Sequence, residues 1–330
     1  MVSRMETLRR RFTGQGLSDS VVNLLLEGSR RTTRSAYQSA WNRWHSWCLE
    51  RGLDSVSADL NPVLEYLTEL HAAGYSYSLL NLHRSMLSST LEQSGTIPVG
   101  QLPSVKQLLK GAFNRNPPRP RYDRTWDVSK VVDLIASWGP NESLDLSRLT
   151  RKLAMLLALA TLLRTSELSS ISLDSVQFTE VGATFALGRP RKSQHSGALQ
   201  SVKIKKLDDP LVCPVHCLGT YRALTDVYRT ESNNERLLIG LISPFKNVSA
   251  STVSRWIKLV LKEAGVEAIF SAHSTRGAAA SRAVAQGIPI DSVLRSGNWA
   301  AESTFTRFYR REVPHTIALT EAVLSQTPSL

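Results

Sequence analysis

The sequence predicts a mostly α-helical fold with one small antiparallel β-sheet, which is the α+β class. Three observations predict it. Apolar residues recur at steps of three to four on both sides of a proline-rich segment. Short β-rich runs lie between polar turns in the second half. Hydrophobic residues make up 42% of the 330 residues, enough for a buried core in two ordinary domains.

The clearest shift in composition is segment 115–124, RNPPRPRYDR, whose prolines exclude a regular helix and favour an extended path. We predict a helical domain over 1–114 with roughly its first 30 residues flexible, a linker over 115–128 and a second domain over 129–330. The arginines of the segment suit an extended stretch of chain that crosses a phosphate backbone, but an ordinary solvated linker explains them equally well. They are Arg115, Arg119, Arg121 and Arg124.

In the first domain, residues 33–49 carry one apolar helix face. The residues of that face are Tyr37, Trp41, Trp44 and Cys48. This stripe is more typical of a core than of a base-stacking surface. Arg34 and Arg43 lie off it and are candidates for DNA contacts. Further helices are expected over 62–73, 76–94 and 104–113.

The second domain is predicted to begin with helices over 129–138 and 148–163. The latter is apolar nearly all round and is therefore expected to be buried. Ser249 is a plausible N-cap and Gly265 a plausible C-terminal stop for a later helix. Strands are expected over 175–179, 183–187 and 201–204. Later helices are expected over 214–228, 250–264, 274–286 and 289–295, from 303 onward, and over 314–326.

The charge balance favours a polyanionic partner. Forty Lys and Arg residues stand against 28 Asp and Glu, a formal net charge of +12, and both predicted domains are basic. Nucleic acid is the first expectation and an acidic membrane surface the second, with a merely solvated basic surface as the alternative. The longest apolar run, 153–163, is too short to span a bilayer. We expect no membrane association and an intracellular location, the nucleus if the host is eukaryotic.

The cysteines are few and odd in number, which argues against a disulfide scaffold. Cys213, His216 and Cys217 have the spacing of half a zinc site, but no second pair completes it, and buried packing thiols are the alternative. We expect no metal. Cys48 is the remaining cysteine.

Two short motifs carry candidate chemistry. In HSTRG, His273 and Arg276 lie one turn apart at the start of a helix, where backbone N–H groups favour an anion. In LLRTSEL, Arg164 directly follows the buried helix and needs an anionic partner. Glu167 is either that internal partner or a group that directs Arg164 toward phosphate.

A basic turn and an aromatic segment complete the candidate set. Lys192 is predicted at the tip of a hairpin, from which its ammonium can reach a nearby site. Arg189 and Arg191 make a generic basic turn the alternative, and both are candidates for DNA contacts. In NWAAESTFTRFYRRE, Phe305 and Phe308 are expected to fill the core and leave Tyr309 facing outward. Trp299 opens this segment.

In order along the chain, these residues resemble the catalytic series of the tyrosine recombinases, or phage-type integrases. They are Arg164, Lys192, His273, Arg276, Trp299 and Tyr309. The resemblance covers about 150–312. The segments HSTRGAAAS and STFTRFY are most similar to those of recombinases of eukaryotic mobile elements, the DIRS/Ngaro-type retrotransposons and Cryptons. Trp299 lies where many members have histidine. The spacing from Trp299 to Tyr309 is one residue longer than is usual in bacterial members.

The resemblance implies a helical core-binding domain that grips double-stranded DNA and a catalytic domain that breaks and rejoins it without metal or ATP. Tyr309 would form a 3′-phosphotyrosyl bond. Lys192 would protonate the departing 5′ oxygen, and His273 would either assist proton removal from Tyr309 or hold the phosphate. Arg164 and Arg276 would hold the non-bridging phosphate oxygens.

The same resemblance implies that Trp299 donates a hydrogen bond to the phosphate. It also implies that the C-terminal helix, 314–326, docks on a neighbouring protomer in a tetramer; packing on its own domain is the alternative. Three other functions stay open: a DNA-binding protein that has lost catalysis, a type IB topoisomerase and a metal-dependent nuclease. The complete residue series argues against the first.

Overall fold

The computed structural model divides the chain into two compact units, Met1–Arg119 and Pro120–Leu330. The division falls inside the proline- and arginine-rich segment 115–124. The structure describes residues 3–56, 60–91, 97–119, 121–122, 124–192, 194, 196–231, 233, 235–299 and 302–308.

The first unit is helical. Four of its helices overlap predicted ones, with ends shifted by a few residues, whereas the first two lie where the pattern indicated no element. The helices are α1 (Arg4–Gly14), α2 (Asp19–Glu27), α3 (Arg31–Leu49), α4 (Leu60–Ala72), α5 (Tyr77–Thr90) and α6 (Pro103–Arg115).

The aromatic stripe of α3 is the core of this unit, as predicted. Trp41 and Trp44 are each 1% exposed. The ring of Trp44 stacks on Trp47 at 5.4 Å and meets Tyr66 edge-on at 5.0 Å. Its indole Nε1 donates to the Ser55 carbonyl at 2.8 Å, so the one polar atom of the ring is satisfied inside the core.

Helix α1 is attached by polar contacts, which explains why hydrophobic periodicity did not reveal it. Arg4 is buried, and its Nε and Nη2 donate to Thr90 Oγ1 at 2.6 Å and Ser89 Oγ at 3.0 Å. A small apolar cluster joins Leu8 of α1 to α2.

The second unit combines helices with one small sheet, and the predicted α+β class is confirmed. Its elements are α7 (Val128–Ser137), α8 (Leu146–Thr161), α9 (Thr165–Leu168), β1 (Gln177–Thr179), β2 (Gly182–Ala186), β3 (Ser201–Lys205), α10 (Pro214–Thr225), α11 (Ala250–Glu263), α12 (Ser274–Ala285), α13 (Ile290–Gly297) and α14 (Glu302–Phe308).

Helix α8 lies at the centre of this unit, with α10, α11 and α12 packed against it. It is buried nearly all round, as predicted. Asp145 caps its start by accepting a hydrogen bond from the backbone N–H of Arg148 at 2.7 Å. The helix ends at Leu162, which takes a left-handed conformation with φ of 55°. Such a conformation is costly for a branched residue and marks a constrained turn.

The sheet is antiparallel in the order β1-β2-β3. In its register Ala183 lies opposite Ile204 and Phe185 opposite Val202. These four residues are buried, and they alternate with more exposed positions, so one face of the sheet covers the core. The connection from β2 to β3 carries Lys192.

The helices after the sheet follow their predicted signals. Ser249 caps α11, accepting a hydrogen bond from Thr252 N at 3.2 Å, and Gly265 follows the helix with φ of +68°. Helix α12 contacts α7, α8 and α13. Its buried Ala278 and Ala280 are small, which permits close approach to neighbouring helices.

Tyr309 and the predicted helix over 314–326 lie outside the described residues. Among the helices that the structure does describe, none has the length and apolar character needed to cross a bilayer.

Candidate active site

Arg164 and Glu167 form an ion pair at the start of α9. Nη1 of Arg164 donates to Glu167 Oε1 at 2.8 Å, and the backbone N–H of Arg164 donates to Oε2 at 2.8 Å. The Glu167 side chain is 6% exposed and that of Arg164 is 19% exposed. Glu167 is therefore the internal partner of Arg164, and it fixes a guanidinium that still has access to solvent.

Arg276 approaches the same carboxylate from α12. Its Nη1 lies 3.8 Å from Glu167 Oε2 and donates to the carbonyl of Leu162, while Nη2 donates to the carbonyl of Gly297 at 2.7 Å. The left-handed turn at Leu162 supplies one of these acceptors. The side chain is 1% exposed. In this structure Arg276 is a buried charge, and the expected direct contact with phosphate oxygens requires a rearrangement around it.

Trp299 covers the Arg276 guanidinium. The Arg276 Cζ atom lies 4.7 Å from the centroid of the indole, a cation–π distance. The indole is also packed on Phe305 at 5.1 Å. Trp299 is 8% exposed and Phe305 is fully buried, as expected for Phe305. The side chain of Phe308 lies outside the described residues.

Gly297 makes room for this ring. A Cβ atom at this position would lie 1.9 Å from Cζ3 of Trp299. The next residue, Asn298, is left-handed with φ of 51°, which ends α13 and returns the chain toward the site. The position therefore requires glycine because of the indole beside it.

His273 immediately precedes α12; part of the residue is open to solvent, and the rest is surrounded by protein. Desolvation by the surrounding protein, followed by the charges of Arg276, Arg164 and Arg121, lowers the pKa of His273 to about 4, and Glu167 only partly offsets this. The imidazole is therefore neutral at neutral pH. Two predicted site residues, Arg164 and Arg276, thus act electrostatically on a third.

Two aromatic residues that the sequence analysis did not select anchor the chain on either side of His273. Tyr122 Oη donates to Ser271 Oγ at 2.9 Å and accepts from Ser271 N at 3.0 Å. Trp126 Nε1 donates to Ser274 Oγ at 2.9 Å. The feature of the sequence that could have identified them is the presence of a tyrosine and a tryptophan at the end of an otherwise polar linker.

Two neighbouring basic residues in the connection between β2 and β3 differ in their burial. Lys192 is exposed and has no hydrogen-bond or ion-pair partner within the described part of the chain. Arg191 is 5% exposed, and its Nη1 donates to the Ser296 carbonyl at 3.4 Å. Burial lowers the pKa of Arg191, while the charge of Glu167 raises it and that of Arg164 lowers it. Arg191 is therefore buried among site residues instead of lying on the surface turn that we had expected.

The other arginines predicted to contact DNA differ in exposure. In the second unit, Arg121 and Arg124 are exposed, and Arg124 forms a two-bond ion pair with Glu267 at 2.9 and 3.0 Å. Arg189 is exposed and donates to the Ser166 carbonyl at 2.9 Å.

In the first unit, Arg34 is half-buried, and the exposed Arg43 lies over the Tyr75 ring at 4.9 Å. Arg119 is exposed. Arg115 is exposed too, but it lies in the last turn of α6 and not in the extended path predicted for the segment.

Cys213 and Cys217 are buried in the main core of the second unit. Cys213 Sγ accepts hydrogen bonds from the backbone N–H groups of Leu207 and His216 at 3.3 and 3.4 Å. His216 faces outward and pairs with Glu142 at 3.2 Å. Within the ranges that the structure describes, no group of three or more His, Cys, Asp or Glu residues is arranged to hold a metal.

The family model described as "Phage integrase family" matches residues 139–315, more than half of the chain. The chain belongs to the phage integrase family. Its members are tyrosine recombinases, which are DNA strand transferases. All six residues of the predicted catalytic series, including Tyr309, lie inside the matched range.

Solved structures of the same fold include other recombinases. The XerH site-specific recombinase bound to palindromic difH substrate is 13% identical, with a TM-score of 0.60 over 97% of this chain and 94% of that chain. The Tn1549 transposon integrase in complex with circular intermediate DNA is 12% identical, with a TM-score of 0.55 over 99% and 100%. At these identities the likeness establishes the fold alone. A search of curated proteins finds no match.

Proposed function

We propose that the chain is a site-specific recombinase or integrase that acts for a mobile element. It cleaves and rejoins double-stranded DNA through a 3′-phosphotyrosyl bond to Tyr309. The observation that carries this proposal is the sharing of one carboxylate by Arg164 and Arg276 beside a neutral His273. Two guanidinium groups around one carboxylate leave excess positive charge in a partly buried place, which favours a phosphate.

The chemical step balances without an external energy source. The phenolic oxygen of Tyr309 attacks phosphorus, forming the P–O(Tyr) bond as the bond from phosphorus to the 5′ oxygen breaks. The phenol has an ordinary pKa of about 10 and needs a proton acceptor. His273 is the proposed acceptor: its imidazole is unprotonated at neutral pH, and an anionic phosphate bound beside it would offset the arginine charges that help to lower its pKa and make it a weak base. Lys192 delivers a proton to the departing 5′ oxygen, and attack by the resulting hydroxyl reverses every step.

The two arginines have different parts in this proposal. Arg164 retains solvent access and is oriented by Glu167, so its free donors bind the phosphate directly. Arg276 contributes a buried positive charge behind Trp299, and a direct contact follows only if its bonds to Leu162 and Gly297 open. Trp299 packs against Arg276, and its indole N–H is the donor that the family resemblance assigns to the phosphate.

The deciding experiment is covalent capture. Full-length protein is incubated with nicked suicide duplexes made from DNA that flanks the gene, and the products are separated by denaturing electrophoresis. We expect a protein–DNA adduct that forms in EDTA, leaves a 5′ hydroxyl that a polynucleotide kinase can label, and disappears in Tyr309→Phe. The matched control is Tyr228→Phe, whose ring packs on Phe245. An adduct with Tyr309→Phe would show that the nucleophile is another residue.

Two alternatives predict different outcomes of the same assay. A DNA-binding protein that has lost catalysis retards the duplex but forms no adduct with the wild-type chain. A type IB topoisomerase forms the adduct on duplexes of any sequence and relaxes supercoiled DNA as a monomer. The family match favours the recombinase over both.

The mobile-element role and the assembly extend this proposal. The similarity of HSTRGAAAS and STFTRFY to recombinases of DIRS/Ngaro elements and Cryptons supports the role. The excised circle expected of such an element is detectable by outward-directed amplification across its joined ends. We propose a tetramer on paired DNA sites through the helix predicted over 314–326. Sedimentation with DNA, before and after deletion of 314–326, tests the assembly, and an unchanged tetramer would contradict the role of that helix.

A further inference from the structure

We propose that Arg191 is a positioning residue that holds Lys192 where it can protonate the 5′ oxygen. This inference rests on the function proposed above, in which Lys192 is the general acid. Arg191 itself is not expected to touch DNA, because its side chain is 5% exposed.

The first step of the argument is the attachment of Arg191 to α13. Its Nη1 donates to the carbonyl of Ser296, the residue before Gly297. The Gly297 carbonyl is an acceptor for Arg276, and Trp299 lies two residues further on. One buried side chain therefore joins the β2–β3 connection to the turn that carries Trp299 and one hydrogen-bond acceptor for Arg276.

The second step is the local shape of the connection. The backbone N–H of Gln194 donates to the Arg191 carbonyl at 2.9 Å, and Gln194 Oε1 accepts from Arg191 N at 3.3 Å. Gln194 Nε2 also donates to the Ala198 carbonyl at 2.6 Å. Lys192 thus lies between Arg191 and Gln194, two residues that hydrogen-bond to each other.

The third step is the contrast between neighbours. Arg191 is buried, and its Nη1 donates to the Ser296 carbonyl, one residue before Gly297. After burial, the charges of Glu167 and Arg164 contribute to the shift of its pKa. Lys192 is exposed, and its Cα lies about 3.8 Å along the chain from that of Arg191. A free lysine side chain carries roughly 2 kcal/mol of rotamer entropy. Fixing the backbone beside Lys192 reduces the number of conformations that are open to its side chain, so the ammonium reaches the 5′ oxygen more often.

The test uses DNA in which sulfur replaces the bridging 5′ oxygen at the scissile phosphate. A thiolate leaves without a proton, because a thiol has a pKa of about 8.5. Loss of the general acid therefore matters on ordinary DNA and not on the sulfur substrate. Single-turnover adduct formation is measured on both substrates for Arg191→Met, Lys192→Ala, Arg164→Ala and Arg189→Met.

We expect Lys192→Ala to slow cleavage of ordinary DNA by about 10²-fold or more. Arg191→Met should slow it by on the order of 10-fold or more, less than the full contribution of an acid. Both variants should regain rates close to wild type on the sulfur substrate. Arg164→Ala should remain slow on both substrates, because its role is on the phosphate. Arg189→Met, an exposed arginine of the same connection, should keep the wild-type ratio of the two rates.

Equal slowing of Arg191→Met on both substrates, or no slowing on either, would overturn the positioning role. Gln194→Ala loosens the same turn without emptying a buried site, and should show the same selective recovery if Arg191→Met does not fold. If the wild-type chain forms no adduct on either substrate, the proposed function itself is wrong. If Lys192→Ala stays slow on the sulfur substrate, Lys192 is not the general acid, and the positioning role of Arg191 is wrong as well. That outcome does not contradict the proposed function.

Discussion

Nη1 of Arg164 lies 2.8 Å from Oε1 of Glu167, and the other oxygen of that carboxylate lies 3.8 Å from Nη1 of Arg276. One buried carboxylate thus orients one arginine and partly neutralises another. A separation of 2.8 Å is a charge-assisted hydrogen bond, whereas 3.8 Å is an electrostatic contact. Glu167 therefore holds Arg164 firmly and leaves Arg276 to the carbonyls of Leu162 and Gly297.

We expect Glu167→Gln to lower the free energy of unfolding of the second unit by about 3 kcal/mol, because removing one partner leaves buried guanidinium charge uncompensated. Urea unfolding followed by circular dichroism measures this. The control is Glu267→Gln in the same unit, whose pair with Arg124 is exposed and should cost no more than about 1 kcal/mol. Equal effects of the two substitutions would contradict a special role for Glu167.

Gly297→Ala should reduce the single-turnover rate of DNA cleavage by roughly 10²-fold, the usual effect of a displacement of about 1 Å at an active site. The new Cβ would lie 1.9 Å from Cζ3 of Trp299, so the indole that covers Arg276 must move. Gly111→Ala is the control, since its Cβ meets nothing within 4 Å. A wild-type rate for Gly297→Ala would show that the Trp299 position does not matter for cleavage.

The imidazole of His273 should titrate with a midpoint near pH 4 instead of 6.5. Because the folded pKa is the lower one, the unfolded chain binds this proton first. The free energy of unfolding should therefore fall between pH 6.5 and about 4 through this group, and the loss should level off below. Histidine-selective NMR measures the midpoint, with the resonance assigned from its absence in His273→Gln. A midpoint near 6.5 would contradict the desolvation of His273 and the added effect of the Arg276 and Arg164 charges.

Tyr122→Phe should cost about 1–3 kcal/mol of stability by deleting two hydrogen bonds to Ser271. Trp126→Phe should cost at least about 0.5–1.5 kcal/mol by deleting one hydrogen bond to Ser274. We also expect slower cleavage, because these contacts fix the start of α12. Tyr228→Phe serves as the matched control. Thermal unfolding and adduct formation are the measurements, and unchanged cleavage in both variants would limit these contacts to stability.

Much of the architecture was predictable because it rests on local patterns. The all-round apolar sequence of α8, the Ser249 cap and the aromatic stripe of α3 each correspond to an observed feature. Helix α1 was missed because a buried arginine attaches it, and hydrophobic periodicity does not report such a contact.

The sequence predicted candidate site residues but not their arrangement in space. Arg189 and Arg191 have the same local pattern, yet only Arg191 is buried. Its acceptor, the carbonyl of Ser296, is distant in sequence and is brought close only by packing of α13. Tyr122 and Trp126 were missed for the same reason, because their partners, Ser271 and Ser274, lie 149 and 148 residues further along the chain.

The sequence by itself determined the fold class, most of the elements and a residue series that resembles the catalytic series of the tyrosine recombinases, because periodicity, caps and motifs are local properties of the chain. Tertiary structure alone decided which charges meet. It placed Glu167 between Arg164 and Arg276, lowered the pKa of His273, and buried Arg191 while leaving Lys192 exposed. Electrostatic interaction and desolvation depend on distances in space, which spacing along the chain does not specify.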